Sequence, residues 1–93
     1  MKYINSVLEN IGNTPLIKLN NLGLKEGVNI FAKLEGENPG GSVKDRVGVY
    51  MIKDAEERGI LKVGYTIVEA TAGNTGIGVA LAAINKGYSI IFV

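Results

Sequence analysis

A lysine beside a glycine-rich loop is the first residue of this sequence that could do chemistry. Lys44 follows residues 37–41, Glu-Asn-Pro-Gly-Gly, which are a concentrated turn signal, and it lies about one turn inside the start of a predicted helix. A cation there opposes the positive end of the helix dipole, so local rules disfavour it. The same field favours the uncharged amine, the form that attacks an aldehyde to make an imine. A residue that local preferences disfavour, placed where a loop meets a helix, indicates a functional site. A solvated surface lysine nevertheless explains the spacing more simply.

The second candidate is the loop at residues 71–76, with the sequence Thr-Ala-Gly-Asn-Thr-Gly. It lies between a predicted strand and a predicted helix, at the strand end where ligands bind in α/β folds. Its N–H groups and the helix N-terminus suit an anion such as a substrate carboxylate. The hydroxyls of Thr71 and Thr75 and the amide of Asn74 add side-chain donors. A tight turn that also caps the helix explains the same residues, and the two interpretations are compatible.

Two residue types are absent, and their absence narrows the chemistry. The chain has no Cys and no His. Disulfides, thiolate zinc sites and thiol nucleophiles are therefore excluded, as are the Ser-His-Asp triad and metals held by histidine. No metal site is predicted, and lysine is the remaining side chain that forms imines with carbonyl compounds.

Length and composition indicate one small globular domain. The chain has 93 residues, of which 46% are hydrophobic and 20% charged, with a formal net charge of +1. Nothing in this balance indicates a nucleic-acid surface. No apolar run approaches a membrane span, and residues 1–10 lack the apolar stretch of a signal peptide. Cytoplasmic residence is the default expectation.

The first third of the chain predicts a short helix and a strand pair. A helix over residues 4–10 ends at Gly12, and a strand follows at 16–19, after Pro15. A polar stretch at 20–27 leads to a second strand at 29–34. The spacing allows the two strands to pair in antiparallel fashion.

The middle of the chain predicts the first long helix. Ser42 is a candidate N-cap, and Asp45 completes a pattern like a capping box. The helix runs to about Arg58, with Gly59 at its C-terminal cap. Helical spacing predicts a buried stripe made of Val43, Val47, Tyr50, Met51 and Ala55.

The last third predicts a strand-helix-strand unit of a parallel sheet. The strands lie at 66–69 and 88–93, and the helix runs from about Asn74 to Lys86 and stops at Gly87. Residues 77–84 are apolar nearly all round, as in a helix covered on both sides. A parallel sheet needs several strands and two covered faces, so the chain is expected to be part of a longer protein.

Four segments in order resemble one enzyme family. They are residues 11–16 (IGNTPL), 33–35 (KLE), 38–46 (NPGGSVKDR) and 71–76 (TAGNTG). Together they resemble the cysteine synthase and cystathionine β-synthase group of pyridoxal 5'-phosphate (PLP) enzymes. The resemblance covers nearly the whole chain but about the first third of a family member. It implies a truncated part of the α/β fold of tryptophan synthase β (fold type II), with a parallel sheet and flanking helices. Residues 1–34 would pack on the missing larger domain, and residues 35–93 would begin the smaller N-terminal domain.

The resemblance also implies roles for individual residues. Lys44 would bind PLP covalently and then act as base and acid, and Asn74 would hydrogen-bond the 3-hydroxyl oxygen of the cofactor. The substrate carboxylate would be bound by Thr71, Ala72, Gly73, Asn74 and Thr75. Its binding would close the smaller domain and exclude water.

The implied reaction is β-replacement on O-acetylserine or serine, with sulfide giving cysteine or homocysteine giving cystathionine. Many cysteine synthases carry Ser where this chain has Ala72, and residues 39–42 resemble the cystathionine β-synthase side of the group. The phosphate-binding loop lies downstream in the family, so the 93 residues alone are expected to have little or no activity. The full-length enzyme is expected to be a homodimer. Exposed apolar surface should make the 93-residue chain associate.

Two interpretations from other classes remain open. One is a small non-catalytic α/β domain whose glycine loop binds an anionic metabolite. The other is half of a nucleotide-binding domain, but both of its motifs are weak. Gly73, Gly76 and Gly78 read G-x-x-G-x-G, the reverse of the dinucleotide spacing, and residues 40–45 do not match a phosphate-binding P-loop.

Overall fold

The computed structural model describes residues 1–71 and 73–93. Two one-turn 3-10 helices lie at Val7–Asn10 and Glu35–Glu37. The longer helices are α1, Lys44–Glu57, and α2, Asn74–Asn85. The strands are β1, Leu16–Leu19; β2, Ile30–Lys33; β3, Thr66–Glu69; and β4, Ser89–Phe92.

Strands β1 and β2 form an antiparallel ribbon, which confirms the predicted pair. Leu16 lies opposite Lys33, and Leu19 lies opposite Ile30. All four residues of β1 are exposed, although three of them are apolar. The ribbon therefore has no hydrophobic face covered by the rest of the described chain.

Strands β3 and β4 pair in parallel, with α2 as the connection between them. Thr66 is the partner of Ser89, and Glu69 is the partner of Phe92. This arrangement confirms the strand-helix-strand prediction and the α/β fold class. The carboxyl ends of both strands lie at one edge of the sheet, beside the start of α2.

The small core lies mainly between the two long helices and β4. Its buried residues are Ile52, Val79, Ala82, Ala83 and Tyr88. The helices approach most closely where Gly48 of α1 meets Gly78 of α2. A Cβ on either glycine would overlap backbone atoms of the other helix. Glycine at both positions thus sets how closely α1 and α2 pack.

The far ends of the helices are joined by a polar cluster. The Glu56 carboxylate accepts hydrogen bonds from Lys86 Nζ and from the hydroxyl of Tyr88, the latter at 3.0 Å. The hydrogen bond from Lys86, and secondarily that from Tyr88, lowers the pKa of Glu56. Burial, together with the bond to Glu56, raises the pKa of Tyr88.

The predicted buried stripe of α1 was wrong. Val43 is 46% exposed, Tyr50 66% and Met51 51%, and Val47 is exposed as well, while Ala55 is half-buried. The helix instead buries Asp45, Gly48 and Ile52. The face of α1 that meets α2 carries glycine, because only glycine allows so close an approach. The apolar residues at helical spacing lie on another face of α1, which the described chain does not cover. In the same way α2 is covered on one side only, since Ile77 and Ile84 are exposed.

The start of α1 also differs from its prediction. The helix begins at Lys44, so this lysine is its first residue and not one turn inside, and the N-cap is Val43, which makes no side-chain cap bond. The Ser42 hydroxyl accepts from the Lys44 N–H at 3.1 Å. Asp45 accepts from the Gly40 N–H and does not complete a capping box with Ser42.

The helix ends match their predictions more closely. Gly59 follows α1 with a φ of +71°, and Gly87 follows α2 with a φ of +84°. Left-handed glycine just beyond the last turn is the usual helix C-cap. The first predicted helix is shorter than expected, because only Val7–Asn10 is helical, after the N-cap Ser6.

Within residues 1–71 and 73–93, no helix has the length and apolar character needed to cross a membrane. The same residues contain no group of acidic side chains that could hold a metal ion.

Candidate functional site

Lys44 lies beside the start of α2. Its carbonyl oxygen is so close to Gly78 that a Cβ there would overlap it. Gly78 is the fifth residue of α2, one helical turn after Asn74. The fold therefore brings the main chain of Lys44 next to the end of the 71–76 loop, and the lysine itself is exposed.

The loop leaves the carboxyl end of β3 and enters α2 directly. The Thr71 N–H donates to Glu69 Oε1 at 3.1 Å, just beyond the end of β3. The Ile77 N–H donates to the Gly73 carbonyl at 3.2 Å and closes the first turn of α2. Asn74 is exposed and Thr75 is half-buried. Ala72, the remaining predicted carboxylate-binding residue, lies outside the described residues.

The first turn of α2 offers backbone N–H groups and partial positive charge at this edge of the sheet. Its N-cap is Gly73, no side-chain cap bond is made in the described chain, and the turn contains no acidic residue. The first N–H groups of a helix have no partner within the helix, and the helix dipole adds partial positive charge there. The geometry thus suits an anionic ligand at the loop.

An open cavity adjoins this turn. It has a volume of about 350 Å³ and is lined by Thr71, Gly73, Ile77, Phe92 and Val93. These residues come from the carboxyl ends of β3 and β4 and from the start of α2. The volume is in the range of small-molecule sites, and the position is where open α/β sheets bind ligands.

Behind Lys44 lies a polar network that the sequence alone did not reveal. Its centre is the Glu35 carboxylate, which accepts from Arg46 Nε at 2.7 Å and from Arg46 Nη2 at 2.9 Å. The Thr14 hydroxyl donates to the same carboxylate at 2.6 Å, and the Asn38 amide donates at 2.9 Å. We call Gly12, Thr14, Glu35, Asn38 and Arg46 the Glu35 network.

The network also includes the main chain of Gly12. Arg46 Nη2 donates to the Gly12 carbonyl at 3.1 Å, and Asn38 Oδ1 accepts from the Gly12 N–H at 2.8 Å. Two of its members, Thr14 and Asn38, are buried. These residues belong to three of the four sequence motifs, but no role was assigned to them. A buried polar side chain needs hydrogen-bond partners. The acidic, basic and amide residues within the motifs could therefore have predicted this network.

Glu35 and Arg46 each stabilise the charged form of the other. The Arg46 guanidinium, followed by the hydroxyl of Thr14 and the amide of Asn38, holds the pKa of Glu35 well below its usual range. The hydrogen bonds to Glu35 raise the pKa of Arg46 above its already high value. Both groups therefore stay charged throughout the pH range in which proteins work.

Asp45 adds a second contact between α1 and the preceding loop. The side chain is fully buried, and one carboxylate oxygen accepts from the Gly40 N–H. The other oxygen, Oδ1, has no hydrogen-bond partner among the described residues. Asp45 thus bonds the loop before Lys44 to the first turn of α1.

Comparison with protein families gives a match over almost the whole chain. The family described as "Pyridoxal-phosphate dependent enzyme" matches residues 7–93.

Individual relatives agree with this match. Cysteine synthase 1 of Emericella nidulans is 58% identical over 89 residues, which are 96% of this chain and 24% of that protein. The O-acetylserine dependent cystathionine beta-synthase of Bacillus subtilis is 54% identical over 92 residues, 99% of this chain and 30% of that one. The crystal structure of O-acetyl serine sulfhydrylase isoform 3 from Entamoeba histolytica superposes with a TM-score of 0.89 at 44% identity, covering 99% of this chain and 29% of that one. The chain thus spans 24% to 30% of the length of these relatives.

Proposed function

Because this chain belongs to the family of pyridoxal-phosphate dependent enzymes, we propose that it forms the lysine side of a PLP site of the cysteine synthase type. The reaction is β-replacement on O-acetylserine or serine, in which sulfide gives L-cysteine. The observation that carries the proposal is the contact between the Lys44 carbonyl and Gly78, one turn from the loop that follows β3. This contact places Lys44 close to the loop that forms the candidate anion site. An enzyme of this family needs both a lysine for the cofactor and a site for the substrate carboxylate.

The residues present fit part of a PLP molecule. PLP carries an aldehyde, a ring hydroxyl and a phosphate. Lys44 offers an exposed primary amine for the aldehyde, and Asn74 offers an exposed amide for the 3-hydroxyl oxygen. The phosphate would be bound by residues outside this chain, in the part of the relatives that the chain does not span. The residues of this chain therefore match the aldehyde and the 3-hydroxyl oxygen of PLP, and not its phosphate.

Each site residue receives a role under this proposal. Lys44 would hold the cofactor covalently through Nζ and, once the substrate amine has displaced Nζ, would accept the α-proton of the substrate and later return a proton. The substrate carboxylate accepts hydrogen bonds from N–H groups and hydroxyls of the loop residues Thr71, Ala72, Gly73, Asn74 and Thr75. PLP, when bound, supplies the electron sink that stabilises negative charge at the substrate α-carbon.

The shape of the chain supports a division at about residue 34. The radius of gyration is 17.0 Å, whereas a compact chain of this length has about 12 Å. The ribbon of β1 and β2, which belongs to residues 1–34, is exposed except at Ala32. We propose that residues 1–34 pack on a larger domain through this ribbon, and that residues 35–93 begin a smaller domain that closes over the substrate. Gly12 and Thr14 bond residues 1–34 to this smaller domain. A cytoplasmic homodimer is the proposed state of the full-length enzyme.

Homocysteine as the nucleophile is the second candidate. The relative from Bacillus subtilis that is named a cystathionine beta-synthase is about as similar as the cysteine synthases. Ala72 also removes one hydroxyl from the carboxylate loop in comparison with many cysteine synthases. With homocysteine in place of sulfide, the same residues would serve a reaction that gives cystathionine.

The first experiment tests the cofactor lysine. The chain is mixed with PLP, the visible absorption is recorded, and the adduct is reduced with cyanoborohydride and mapped by peptide mass spectrometry. We expect an absorption band and a pyridoxyl group on Lys44, both lost in Lys44→Ala. Lys53→Ala is the matched control, because Lys53 is an exposed lysine of the same helix. Equal labelling of all lysines, or a band that persists in Lys44→Ala, would contradict the assignment.

The second experiment tests the nucleophile. The chain replaces the matching segment of the Emericella nidulans relative and, separately, of the Bacillus subtilis relative. Product formation from O-acetylserine is then measured with sulfide and with homocysteine, with Lys44→Ala as the inactive control. If both hybrids prefer sulfide, the cysteine synthase assignment holds for this chain. A preference for homocysteine in both hybrids would favour the second candidate.

A further inference from the structure

We propose that Glu35 and Arg46 are a positioning pair for Lys44. Neither side chain needs to touch the cofactor. Their ion pair fixes the first turn of α1, and thereby the direction from which the Lys44 amine reaches the site. This inference rests on the proposed function, because it takes Lys44 as the lysine that binds PLP.

The first argument is that α1 starts without a side-chain cap. Its N-cap, Val43, makes no side-chain bond, and the contact from Ser42 to the Lys44 N–H is exposed. A cation in the first turn also opposes the helix dipole. The first turn therefore depends on tethers from other side chains, of which Asp45 is one through its bond to the Gly40 N–H of the preceding loop.

The second argument is that Arg46 supplies another tether two residues after Lys44. Its Nε and Nη2 bind different oxygens of the Glu35 carboxylate, at 2.7 and 2.9 Å, and Nη2 also binds the Gly12 carbonyl. A two-point bond of this kind fixes the orientation of the guanidinium as well as its distance. Lysine has a single donor centre and cannot reproduce this geometry.

The third argument is that Glu35 is itself oriented by neighbours from two other segments. Thr14 comes from the segment before β1, and Asn38 comes from the loop that leads to Lys44. The segments that precede Lys44 are thus bonded to one carboxylate. The Lys44 carbonyl also rests against Gly78 of α2. Lys44 is therefore restrained by the Glu35 network, through Arg46, and by the packing of α1 on α2.

The test compares how selectively PLP reacts with Lys44 in several variants of the chain. Arg46→Lys keeps the charge but loses the two-point bond, and Glu35→Gln keeps the shape but loses the charge. Arg58→Lys is the matched control, because Arg58 makes an exposed ion pair with Asp54 at the other end of the same helix. Ile52→Val is a second control, since it weakens the core without touching the network.

Selectivity is measured as the ratio of pyridoxyl labelling at Lys44 to labelling at Lys53 after brief reduction with cyanoborohydride. Unfolding is followed by circular dichroism, and labelling is done well below the midpoint of each variant. We expect the ratio to fall at least about tenfold in Arg46→Lys and Glu35→Gln, since small misplacements of a reacting group cost this much or more. The ratio should be unchanged in both controls.

Thr14→Val provides a milder change if the stronger variants fail to fold. It removes one bond to Glu35 and leaves the ion pair, so the ratio should fall by a smaller factor. A ratio that tracks stability alone, falling equally in Ile52→Val, would overturn the positioning role. Absence of selectivity in the parent chain would instead refute the assignment of Lys44, which separates the two failures.

Discussion

Gly48 and Gly78 meet so closely that neither position has room for a Cβ. A methyl group on Gly48 would overlap the carbonyl group of Gly78, and one on Gly78 would overlap the carbonyl oxygen of Lys44. The two longest helices are therefore in contact through their backbones at the point that determines where Lys44 lies.

Gly48→Ala should destabilise the chain by about 3 kcal/mol, because the added methyl group must push the helices apart. The free energy of unfolding is measured by urea titration. Gly36→Ala is the control, since Gly36 has open space around its Cα and a φ that any residue can adopt. An unchanged midpoint in Gly48→Ala would show that the helices do not cross here.

Gly59→Ala should destabilise the chain by about 1 kcal/mol for a different reason. The space around Gly59 is open, but its φ is +71°, which strains any residue with a Cβ. Gly59→Asn should cost less, because asparagine tolerates the left-handed region better. Equal stability of the Ala and Asn variants would contradict a left-handed C-cap.

Stability should fall in acid. The pKa values of Glu35 and Glu56 are lowered in the folded chain. A carboxyl with a lowered pKa stabilises the fold above its unfolded pKa of about 4.3, and this contribution is lost as pH falls through the folded pKa. Urea unfolding from pH 7 to pH 3 should therefore show a decline below about pH 5 that is smaller in Glu56→Gln. Glu57→Gln, an exposed change on the same helix, should leave the decline unchanged.

Stability should also fall in alkali, with the opposite sign of proton linkage. The pKa of Tyr88 is raised by burial and by its bond to Glu56. Its contribution is complete below the unfolded pKa of about 10 and is lost as pH rises through the folded pKa. Tyr88→Phe should reduce this alkaline loss, and stability near neutral pH should fall because the hydroxyl no longer bonds Glu56. A steep alkaline loss that persists in Tyr88→Phe would contradict the assignment.

The 93-residue chain should self-associate through the ribbon. Ile17 and Ile30 are 42% and 41% exposed and lie on the same face of the β1–β2 pair. Ile17→Thr with Ile30→Thr should shift sedimentation velocity towards the monomer while keeping β-branched side chains. Ile60→Thr is the control, because Ile60 is exposed but lies outside the ribbon. A compact monomer of the parent chain would contradict this prediction.

Local residue preferences predicted the positions of the helices and strands well. Which faces are buried and how the site is held together depend on tertiary contacts. The bounds of β1 and β3 and the glycines at 59 and 87 follow from residue preferences within a few positions. The buried side of α1 does not, because a helix that approaches its partner through glycine has no apolar residue at the closest contact. The same limit applies to the site. Lys44 and the loop were visible as motifs, whereas the bonds of Glu35 to Arg46 and to Thr14 join residues that are 11 and 21 positions apart.

The contact between Gly78 and the carbonyl of Lys44 has a mechanical consequence. Side chains can change rotamer and absorb small movements, but two touching backbones cannot. A ligand that draws the start of α2 inward by a fraction of an ångström would therefore displace the lysine backbone by a similar amount. Binding of an anion at the loop should therefore also shift the backbone that carries the Lys44 amine.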